Sequence, residues 1–313
     1  MFQKILQLIQ AHDTIILHRH TKPDGDAMGS QIGLKNILKE NFPEKTIYAV
    51  GDDPRFFGFM DDSQMDAIPD SAYEGALAII LDCGASSLIS DTRYTLAAHT
   101  ARMDHHIYCE DITPADLVDT SYESCCGLVA DFARTTGLKL NPIAAKSLYT
   151  GIVTDSGRFR YDGTTARTHS LVSWLLEQKF DTNEVYRNLY ADSYESKKLK
   201  AQFILKIQFT PANTAYIYTT KEEFAGYGAD LFTISRGMTN TMADMKGVNI
   251  WANFTESENG ILCELRSSLY NIQPIAVKYG GGGHAKACGA TVPDRETVMA
   301  MLADLDKIGE NKE

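Results

Sequence analysis

Short apolar runs alternate with amphipathic segments through the first half of the chain, and this order predicts an α/β fold. Four runs have the length and composition of buried strands: residues 14–17, 47–50, 77–81 and, with a weaker pattern, 100–103. Helical spacing of apolar residues or helix-end signals predict helices over residues 2–9, over about 30–38, and over 125–136, 142–153, 165–178 and 182–190. We therefore expect a mostly parallel sheet flanked by helices.

The second half of the chain has a different pattern, which predicts a smaller α/β domain with a mixed sheet. Strands are predicted over residues 215–219, 248–254, 261–266 and 288–292, and helices over 272–279 and from about Arg295. The sequence Glu258-Asn259-Gly260 is typical of a hairpin turn, and Thr220 to Glu223 matches a helix capping box. We place the first domain at residues 1–190, a linker that is helical in part at 191–208, and the second domain at 209–313.

Composition and charge narrow the classes of partner. A chain of 313 residues is long enough for two domains, and its net charge of −11 argues against non-specific binding to long nucleic acid or to an anionic membrane. A small anionic substrate is still compatible with it. The six cysteines have no CxxC spacing, the first residues lack the basic and apolar regions of a signal peptide, and no apolar stretch approaches a membrane span. We therefore expect free thiols and a cytoplasmic location.

Acidic and imidazole side chains follow the predicted strands, and parallel strands bring their carboxyl ends to one edge of a sheet. Each group has an ordinary interpretation as a helix cap, a solvated strand end or a polar loop. As a set they comprise four carboxylates and two imidazoles, with a summed charge of −4 that two divalent ions would balance. Two adjacent metal ions can clamp an in-line phosphoryl displacement, and this mixture of oxygen and nitrogen favours Mn²⁺, with Mg²⁺ as the second candidate. The candidate metal ligands are His20, Asp24, Asp26, Asp82, His105 and Asp155.

A second group of candidate residues lies near the end of the chain, where four successive glycines precede His284. Successive backbone N–H groups without side chains can form an anion-binding nest, although a flexible linker is the alternative interpretation. Arg266 in a predicted strand is a second candidate for a phosphate contact, and Arg160 is a weaker one that surface charge also explains. The candidate substrate contacts are Arg160, Arg266, Ser267, Gly281, Gly282, Gly283 and His284.

These motifs together resemble the DHH phosphoesterase superfamily. The resemblance rests on the loop His20-x-x-Pro-Asp24-Gly-Asp26-x-x-Gly29-Ser30, the strand-end Asp82, the triplet Asp104-His105-His106 and the turn at Asp155, in the family's order over about residues 14–160. The glycine run with Arg266-Ser267 upstream resembles the DHH-associated domain, and the chain length is most similar to the nanoRNase/pAp phosphatase subfamily. Ser156 stands where the family usually has threonine, a conservative departure that leaves Asp155 unaffected.

The resemblance implies a role for each matching residue. His20 and Asp24 would bind one metal ion, Asp82 would bridge, and the second ion would be bound by Asp26, His105 and Asp155. His106 would contact a phosphate oxygen and protonate the leaving oxygen, and Asp104 would orient an imidazole. The second domain would close over the far end of a short substrate.

The resemblance also implies the reactions: hydrolysis of short oligoribonucleotides to mononucleotides, and dephosphorylation of 3′-phosphoadenosine 5′-phosphate (pAp) to AMP. The alternative within the enzyme class is a cyclic-di-AMP or linear dinucleotide phosphodiesterase. The alternative of another class is a nucleotide sensor without turnover, against which the complete set of ligands argues. The expected partners are short oligoribonucleotides or small nucleotides; cleavage polarity, preferred length and oligomeric state, including a homodimer, are left open.

Overall fold

The computed structural model describes residues 1–310, so the predicted end of the second domain, residues 311–313, lies outside the described residues. The chain divides into two compact units, the first spanning Met1–Ala191 and the second beginning at Asp192. None of the helices formed by residues 1–310 has the length and hydropathy needed to cross a bilayer.

The first unit is built on a parallel five-stranded sheet with the order β2-β1-β3-β4-β5. The predicted parallel α/β fold is thus confirmed. The strands are β1 (Thr14–His18), β2 (Thr46–Ala49), β3 (Leu77–Leu81), β4 (His99–Asp104) and β5 (Asp116–Val118). The sequence pattern identified the first four strands. It missed β5, because a strand of three residues with two apolar side chains has no detectable alternation.

Six α-helices belong to this unit, which is described throughout, and the main core lies between them and one face of the sheet. They are α1 (Phe2–Ala11), α2 (Gly25–Asn41), α3 (Cys125–Thr136), α4 (Pro142–Asp155), α5 (Ala166–Leu176) and α6 (Thr182–Tyr190). Ile15 and Leu17 point into this core, whereas Ile16 packs on the other face against Val50 and Tyr73. Both faces of β1 are therefore buried, which explains its continuous apolar run.

Helices α2 and α4 approach closely because α2 carries glycine at every fourth position, Gly25, Gly29 and Gly33. A Cβ atom at Gly29 would lie 2.5 Å from the carbonyl oxygen of Ser147, and one at Gly33 would lie 2.6 Å from Leu148 Cδ2. A Cβ at Gly25 would collide with Thr154. The helices therefore run antiparallel, and the first turn of α2 lies beside the last turn of α4.

The order of the strands creates a crevice at the carboxyl ends of β1 and β3. The chain passes from β1 to β2 on one side, and β3 then pairs with β1 on the other side. In open α/β sheets ligands bind at such a reversal point. His20 follows β1, and Asp82 is the residue directly after β3, so two of the predicted metal ligands flank this crevice.

The second unit contains a mixed six-stranded sheet with the order β10-β11-β9-β8-β7-β6, as predicted for a separate smaller domain with a mixed sheet. Only β7 and β8 pair in parallel among the described residues. The elements are α7 (Tyr194–Leu205), β6 (Gln208–Phe209), β7 (Ala215–Thr219), α8 (Lys221–Tyr227), β8 (Ile250–Ser257), β9 (Gly260–Ser267), α9 (Gln273–Lys278), β10 (Gly282–His284), β11 (Ala287–Val292) and α10 (Arg295–Glu310).

Local signals in this unit are confirmed where they depend on a few neighbouring residues. Ser257 pairs with Gly260 at the end of the β8–β9 hairpin. Thr220 and Glu223 form the predicted capping box at the start of α8. The segment expected to link the domains forms α7 in the second unit, and its Phe203 is fully buried in a cluster with Trp251.

Candidate active site

The loop after β1 turns His20 toward two carboxylates. The Nδ1 atom of His20 lies 2.8 Å from the carbonyl oxygen of Thr21, which places the proton on Nδ1. The other nitrogen, Nε2, lies 3.8 Å from Oδ1 of Asp24 and 3.5 Å from Oδ2 of Asp82. Asp24 also caps α2, because its Oδ1 accepts the N–H groups of Asp26 and Ala27. Asp24 therefore caps α2 and at the same time lies beside the other candidate ligands.

Asp82 occupies the centre of the candidate site in a backbone conformation that most residues avoid. Its φ angle is +53°, in the left-handed region, at the point where the chain leaves β3. Its side chain is only 2% exposed. No residue within the described part of the chain donates a hydrogen bond to its Oδ1 atom. A buried carboxylate oxygen without a hydrogen-bond donor is costly, and a cation bound beside it would remove that cost.

Asp26 is held by the N-terminus of a distant helix. Its Oδ2 accepts the N–H of Cys125 at 2.6 Å and its Oδ1 accepts the N–H of Cys126 at 2.8 Å, both in the first turn of α3. These N–H groups have no partner inside their own helix, and the helix dipole favours negative charge there. The sequence pattern did not indicate this contact, because the partners are far apart in the chain and the donors are backbone atoms.

His105 lies among three carboxylates from three different elements. Its Nε2 atom is 3.6 Å from Oδ2 of Asp26, 3.5 Å from Oδ1 of Asp82 and 3.4 Å from Oδ2 of Asp155. Its other ring nitrogen lies 3.4 Å from the carbonyl oxygen of Tyr122. Asp155 was expected in a turn after α4, but it is the last residue of that helix, since Ser156 still donates its N–H to the carbonyl of Ile152.

His106, the next residue, has a different environment. Its Nδ1 atom lies 2.8 Å from Oδ1 of Asp104, a carboxylate that is only 1% exposed, whereas the His106 side chain is 50% exposed. Nδ1 therefore donates a hydrogen bond to Asp104, and Nε2 is the ring nitrogen that this bond leaves unused. The hydrogen bond to Asp104 raises the pKa of His106.

The structure thus brings all six predicted metal ligands to one edge of the sheet. Within residues 1–310, three overlapping groups of side chains could each hold a metal ion, because the ligand atoms in each group lie within 4.8 Å of one another. Asp82 belongs to two of these groups. The groups are His20 with Asp24 and Asp82; Asp26 with His105 and Asp155; and Asp82 with His105 and His106.

The electrostatics of the cluster point to the same requirement for positive charge. Burial, followed by the nearby Asp82 and Asp155, raises the pKa of Asp26 well above its usual range. Burial also raises the pKa of Asp155 to about 7. Burial opposes a charged imidazole, but neighbouring carboxylates raise the pKa of His20 and of His105 to about 10. Protons on the imidazoles and carboxylates thus balance the negative charge of the cluster, and a divalent cation can balance that charge in their place.

The candidate substrate contacts of the second unit include two basic residues on one face of the sheet. Arg266 pairs with Ala287 across β9 and β11, and Ala287 pairs with His284 across β11 and β10. Residues paired directly across antiparallel strands point to the same face, so Arg266 and His284 share a face with the small Ala287 between them. Arg266 is also bonded to Glu264, Nη2 to Oε2, at 3.1 Å.

The glycine run does not act as a single nest of free N–H groups. The N–H of Gly280 bonds to the carbonyl of Val277 at 3.0 Å, and that of Gly281 to the carbonyl of Ala276 at 2.8 Å, so both end helix α9. Gly282 and Gly283 belong to the edge strand β10. The N–H of Gly281 is therefore engaged with the helix rather than presented as part of a nest.

Of two other candidate contacts, Ser267 has an evident structural role and Arg160 lies in an exposed turn. The hydroxyl of Ser267 donates to the carbonyl of Asn249 and accepts the N–H groups of Leu269 and Tyr270, which holds the turn after β9. Arg160 is exposed in the turn after α4, and its N–H bonds to the carbonyl of Ser156 at 2.9 Å. A role of either side chain toward substrate stays a prediction.

Comparison with known proteins places this geometry in context. Residues 14–152 match the N-terminal domain of the DHH family, and residues 232–311 match the DHHA1 domain. The chain is 33% identical to the bifunctional oligoribonuclease and PAP phosphatase NrnA of Bacillus subtilis (strain 168), over 98% of each protein. It is 34% identical to a protein of Streptococcus mutans described as a probable bifunctional oligoribonuclease and PAP phosphatase NrnA, over 98% of this chain and 99% of that one.

A solved structure shares the fold. It is an exopolyphosphatase-related protein from Bacteroides fragilis, with a TM-score of 0.84 and 24% sequence identity, and the match covers 98% of this chain and 95% of that one.

Proposed function

This chain belongs to the DHH family, and on that basis we propose that it is a metal-dependent phosphoesterase that hydrolyses short oligoribonucleotides to mononucleotides and pAp to AMP. Relatives with this pair of activities in their names match nearly the whole chain, in both the DHH and the DHHA1 parts. The proposal also includes two divalent ions, with Mn²⁺ preferred over Mg²⁺ because the ligands mix imidazole nitrogen with carboxylate oxygen.

The observation that carries the proposal is the environment of Asp82. It is a buried carboxylate with a left-handed backbone, the imidazoles of His20 and His105 lie 3.5 Å from its two oxygens, and no described residue donates a hydrogen bond to its Oδ1. A solvated strand end would not be buried, and the imidazoles beside both oxygens are themselves predicted metal ligands. Strain together with an orphaned polar atom is typical of a functional position.

The residues present fit a pair of divalent cations. His20 and Asp24 would hold one ion, Asp26, His105 and Asp155 would hold the other, and Asp82 would contact both. Bound cations would neutralise the carboxylates, attract the phosphate group and favour deprotonation of a nearby water molecule. Hydrogen bonds from α3 hold Asp26 in place, and the Thr21 carbonyl holds the tautomer of His20.

Two other groups would act on the substrate directly. His106 holds a proton on Nδ1 through Asp104, so its second nitrogen, when protonated, can donate to a phosphate oxygen or to the leaving oxygen. In the second unit, Arg266 and His284 on one sheet face would bind a further phosphate or the terminal nucleotide. Positive charge is then needed only at the metal ions and at Arg266 and His284, which explains how a protein of net charge −11 can act on nucleotides.

The experiment that tests the proposal is a substrate panel. The purified full chain is stripped of metal with EDTA, and then supplied with Mn²⁺ or Mg²⁺. The substrates are pAp, RNA di- to pentanucleotides, a long single-stranded RNA, cyclic di-AMP and inorganic pyrophosphate. We expect turnover of pAp and of the short RNAs with Mn²⁺, weak or no turnover of the long RNA, and none in EDTA.

Three results would contradict the proposal in different ways. Cleavage of cyclic di-AMP or of a linear dinucleotide, without pAp or longer oligonucleotides, would favour the dinucleotide phosphodiesterase. Tight nucleotide binding without any turnover in Mn²⁺ would favour a sensor. Equal activity with and without EDTA would exclude metal dependence.

We also propose that the protein works in the cytoplasm, because its nucleotide substrates are found there. The six cysteines are all free thiols in the structure, which is the usual state in a reducing compartment. Mass spectrometry of alkylated protein from cells would test this, since six modified thiols are expected without prior reduction.

A further inference from the structure

Arg19, the residue before the candidate ligand His20, is a fully buried charge. Its side chain is 0% exposed. Nε donates to the Gln31 side chain at 3.0 Å, and Nη1 donates to the carbonyl oxygen of His20 at 3.1 Å. Gln31 in turn donates to the carbonyls of Leu17 and Val50 at the ends of β1 and β2. The guanidinium therefore joins the ends of two strands to the backbone of a candidate metal ligand.

Asp52 is the partner of this buried charge and extends the connection. Its Oδ1 lies 2.6 Å from Nη1 of Arg19, and its carbonyl oxygen accepts Nη2. Ser90 adds two bonds of 2.8 Å, since its hydroxyl donates to Oδ1 of Asp52 and accepts the Asp52 N–H. Arg19 therefore depends on Asp52 for its counter-charge, because the guanidinium is fully buried and this is its one carboxylate partner among the described residues.

The second carboxylate oxygen of Asp52 holds the turn between His20 and Asp24. It accepts the N–H of Lys22 at 2.9 Å, and Lys22 has a φ angle of +51°, in the left-handed region. That angle is unfavourable for lysine and is maintained by the surrounding contacts. Because Lys22 lies between His20 and Asp24 in the chain, its backbone conformation affects how closely the two side chains approach.

We propose that Arg19 and Asp52 are positioning residues for the metal site formed by His20, Asp24 and Asp82. This inference rests on the proposed metal centre. The pair touches the backbone of the His20–Lys22 segment from two sides, at the His20 carbonyl and at the Lys22 N–H. By contrast, the contacts described for the other site, formed by Asp26, His105 and Asp155, come from α3 and Tyr122. Loss of the pair should therefore weaken one metal site and spare the other.

The test is Mn²⁺ binding by calorimetry to the full chain, with Asp52→Asn as the variant. The wild type is expected to bind two Mn²⁺ ions. Asp52→Asn keeps the size of the side chain but leaves Arg19 without its counter-charge. We expect one site to keep its affinity and the other to lose about 10- to 100-fold, the usual cost of removing a contact that orients a metal ligand.

A matched control separates positioning from general stability. Asp66→Asn removes the charge of one of the two carboxylates, Asp66 at 3.1 Å and Asp62 at 3.4 Å, that pair with another buried cation, Lys35, and none of these contacts involves a candidate metal ligand. Both Mn²⁺ affinities should stay at the wild-type values. Ser90→Ala is a milder second variant that removes only the hydroxyl bonds of Asp52, and it should weaken the same site by a smaller factor.

The outcomes are distinguishable. A wild type that binds no Mn²⁺ would overturn the proposed metal centre itself. If the wild type binds two Mn²⁺ ions, and folded Asp52→Asn and Ser90→Ala keep both affinities unchanged, the positioning role is refuted and the metal centre stands. Equal weakening of both sites, shared by Asp66→Asn, would also refute it, because the effect would then be a general loss of stability.

Discussion

Nδ1 of His106 donates a hydrogen bond to the buried carboxylate of Asp104 over 2.8 Å, although the two residues are separated by only one position in the chain. The intervening His105 faces the other carboxylates, so the triplet separates into one candidate ligand and one imidazole–carboxylate pair.

We expect His106→Ala to lower kcat about 10²- to 10⁴-fold and Asp104→Asn about 10²-fold. In the double variant the effects should not add, since Asp104 acts through His106. Steady-state kinetics on pAp at saturating Mn²⁺ would check this; additive losses would show that Asp104 has a separate role.

Asp82→Asn should abolish turnover while the fold is retained. Asparagine tolerates the left-handed φ of +53° at this position, so the substitution isolates the loss of the charge. Because Asp82 lies 3.5 Å from His20 of one proposed metal site and 3.5 Å from His105 of the other, we expect both Mn²⁺ affinities to fall and kcat to drop at least about 10³-fold. Far-ultraviolet circular dichroism and calorimetry on the same sample provide the measurements. Two wild-type Mn²⁺ affinities in this variant would exclude Asp82 as a shared ligand.

His284→Ala should mainly raise KM for pAp, by about 10-fold, with a small change in kcat. The reason is that His284 shares a sheet face with Arg266, is far in sequence from the candidate metal ligands, and would contribute binding common to ground and transition states. His169→Ala, which truncates an exposed histidine of α5, is the matched control and should leave both constants unchanged. A loss confined to kcat would contradict a binding role for His284.

Gly29→Ala should destabilise the first unit by about 2 to 3 kcal/mol, because the added Cβ would lie 2.5 Å from the carbonyl oxygen of Ser147. The control is Gly226→Ala in α8, where an added Cβ meets nothing within 4 Å. That change should stabilise the protein by about 0.5 to 1 kcal/mol, the usual preference for alanine over glycine in a helix. Urea denaturation of each variant measures both effects. If both substitutions had the same sign, close packing of α2 on α4 would not be the reason for the glycine.

Asp304 should contribute acid-sensitive stability to the second unit. Hydrogen bonds first from Lys278, then from Lys307 and Tyr279, hold its pKa well below the usual range. A depressed carboxyl pKa stabilises the folded state above the unfolded value of about 3.9, and this contribution is lost as the pH falls below it.

For Asp304 the partner lysines are largely exposed, so Asp304→Asn should cost about 1 kcal/mol at neutral pH. The difference in unfolding free energy from the wild type should shrink on acidification below about pH 4. Urea denaturation at a series of pH values tests this. A difference that is constant from neutral to acidic pH would show that the charge of Asp304 is not the cause.

Local sequence patterns were sufficient for the order and type of most elements. Strand β3 and helices α3 and α6 have the predicted bounds, because a continuous apolar run or an amphipathic repeat with a clear stop depends only on neighbouring residues. Motif spacing likewise identified the acidic and imidazole residues that the structure brings together. The short strand β5 and the edge strand β10 inside the glycine run were missed, since each exists through its pairing partner.

The sequence by itself determined a parallel α/β domain, a second mixed-sheet domain and the composition of the candidate metal site. Only the tertiary structure decided how that site is held. The N–H groups of α3 on Asp26, the positive φ of Asp82 and the buried pair of Arg19 with Asp52 all depend on contacts between distant segments. Such contacts follow from strand order and helix packing, which no local pattern of side chains encodes.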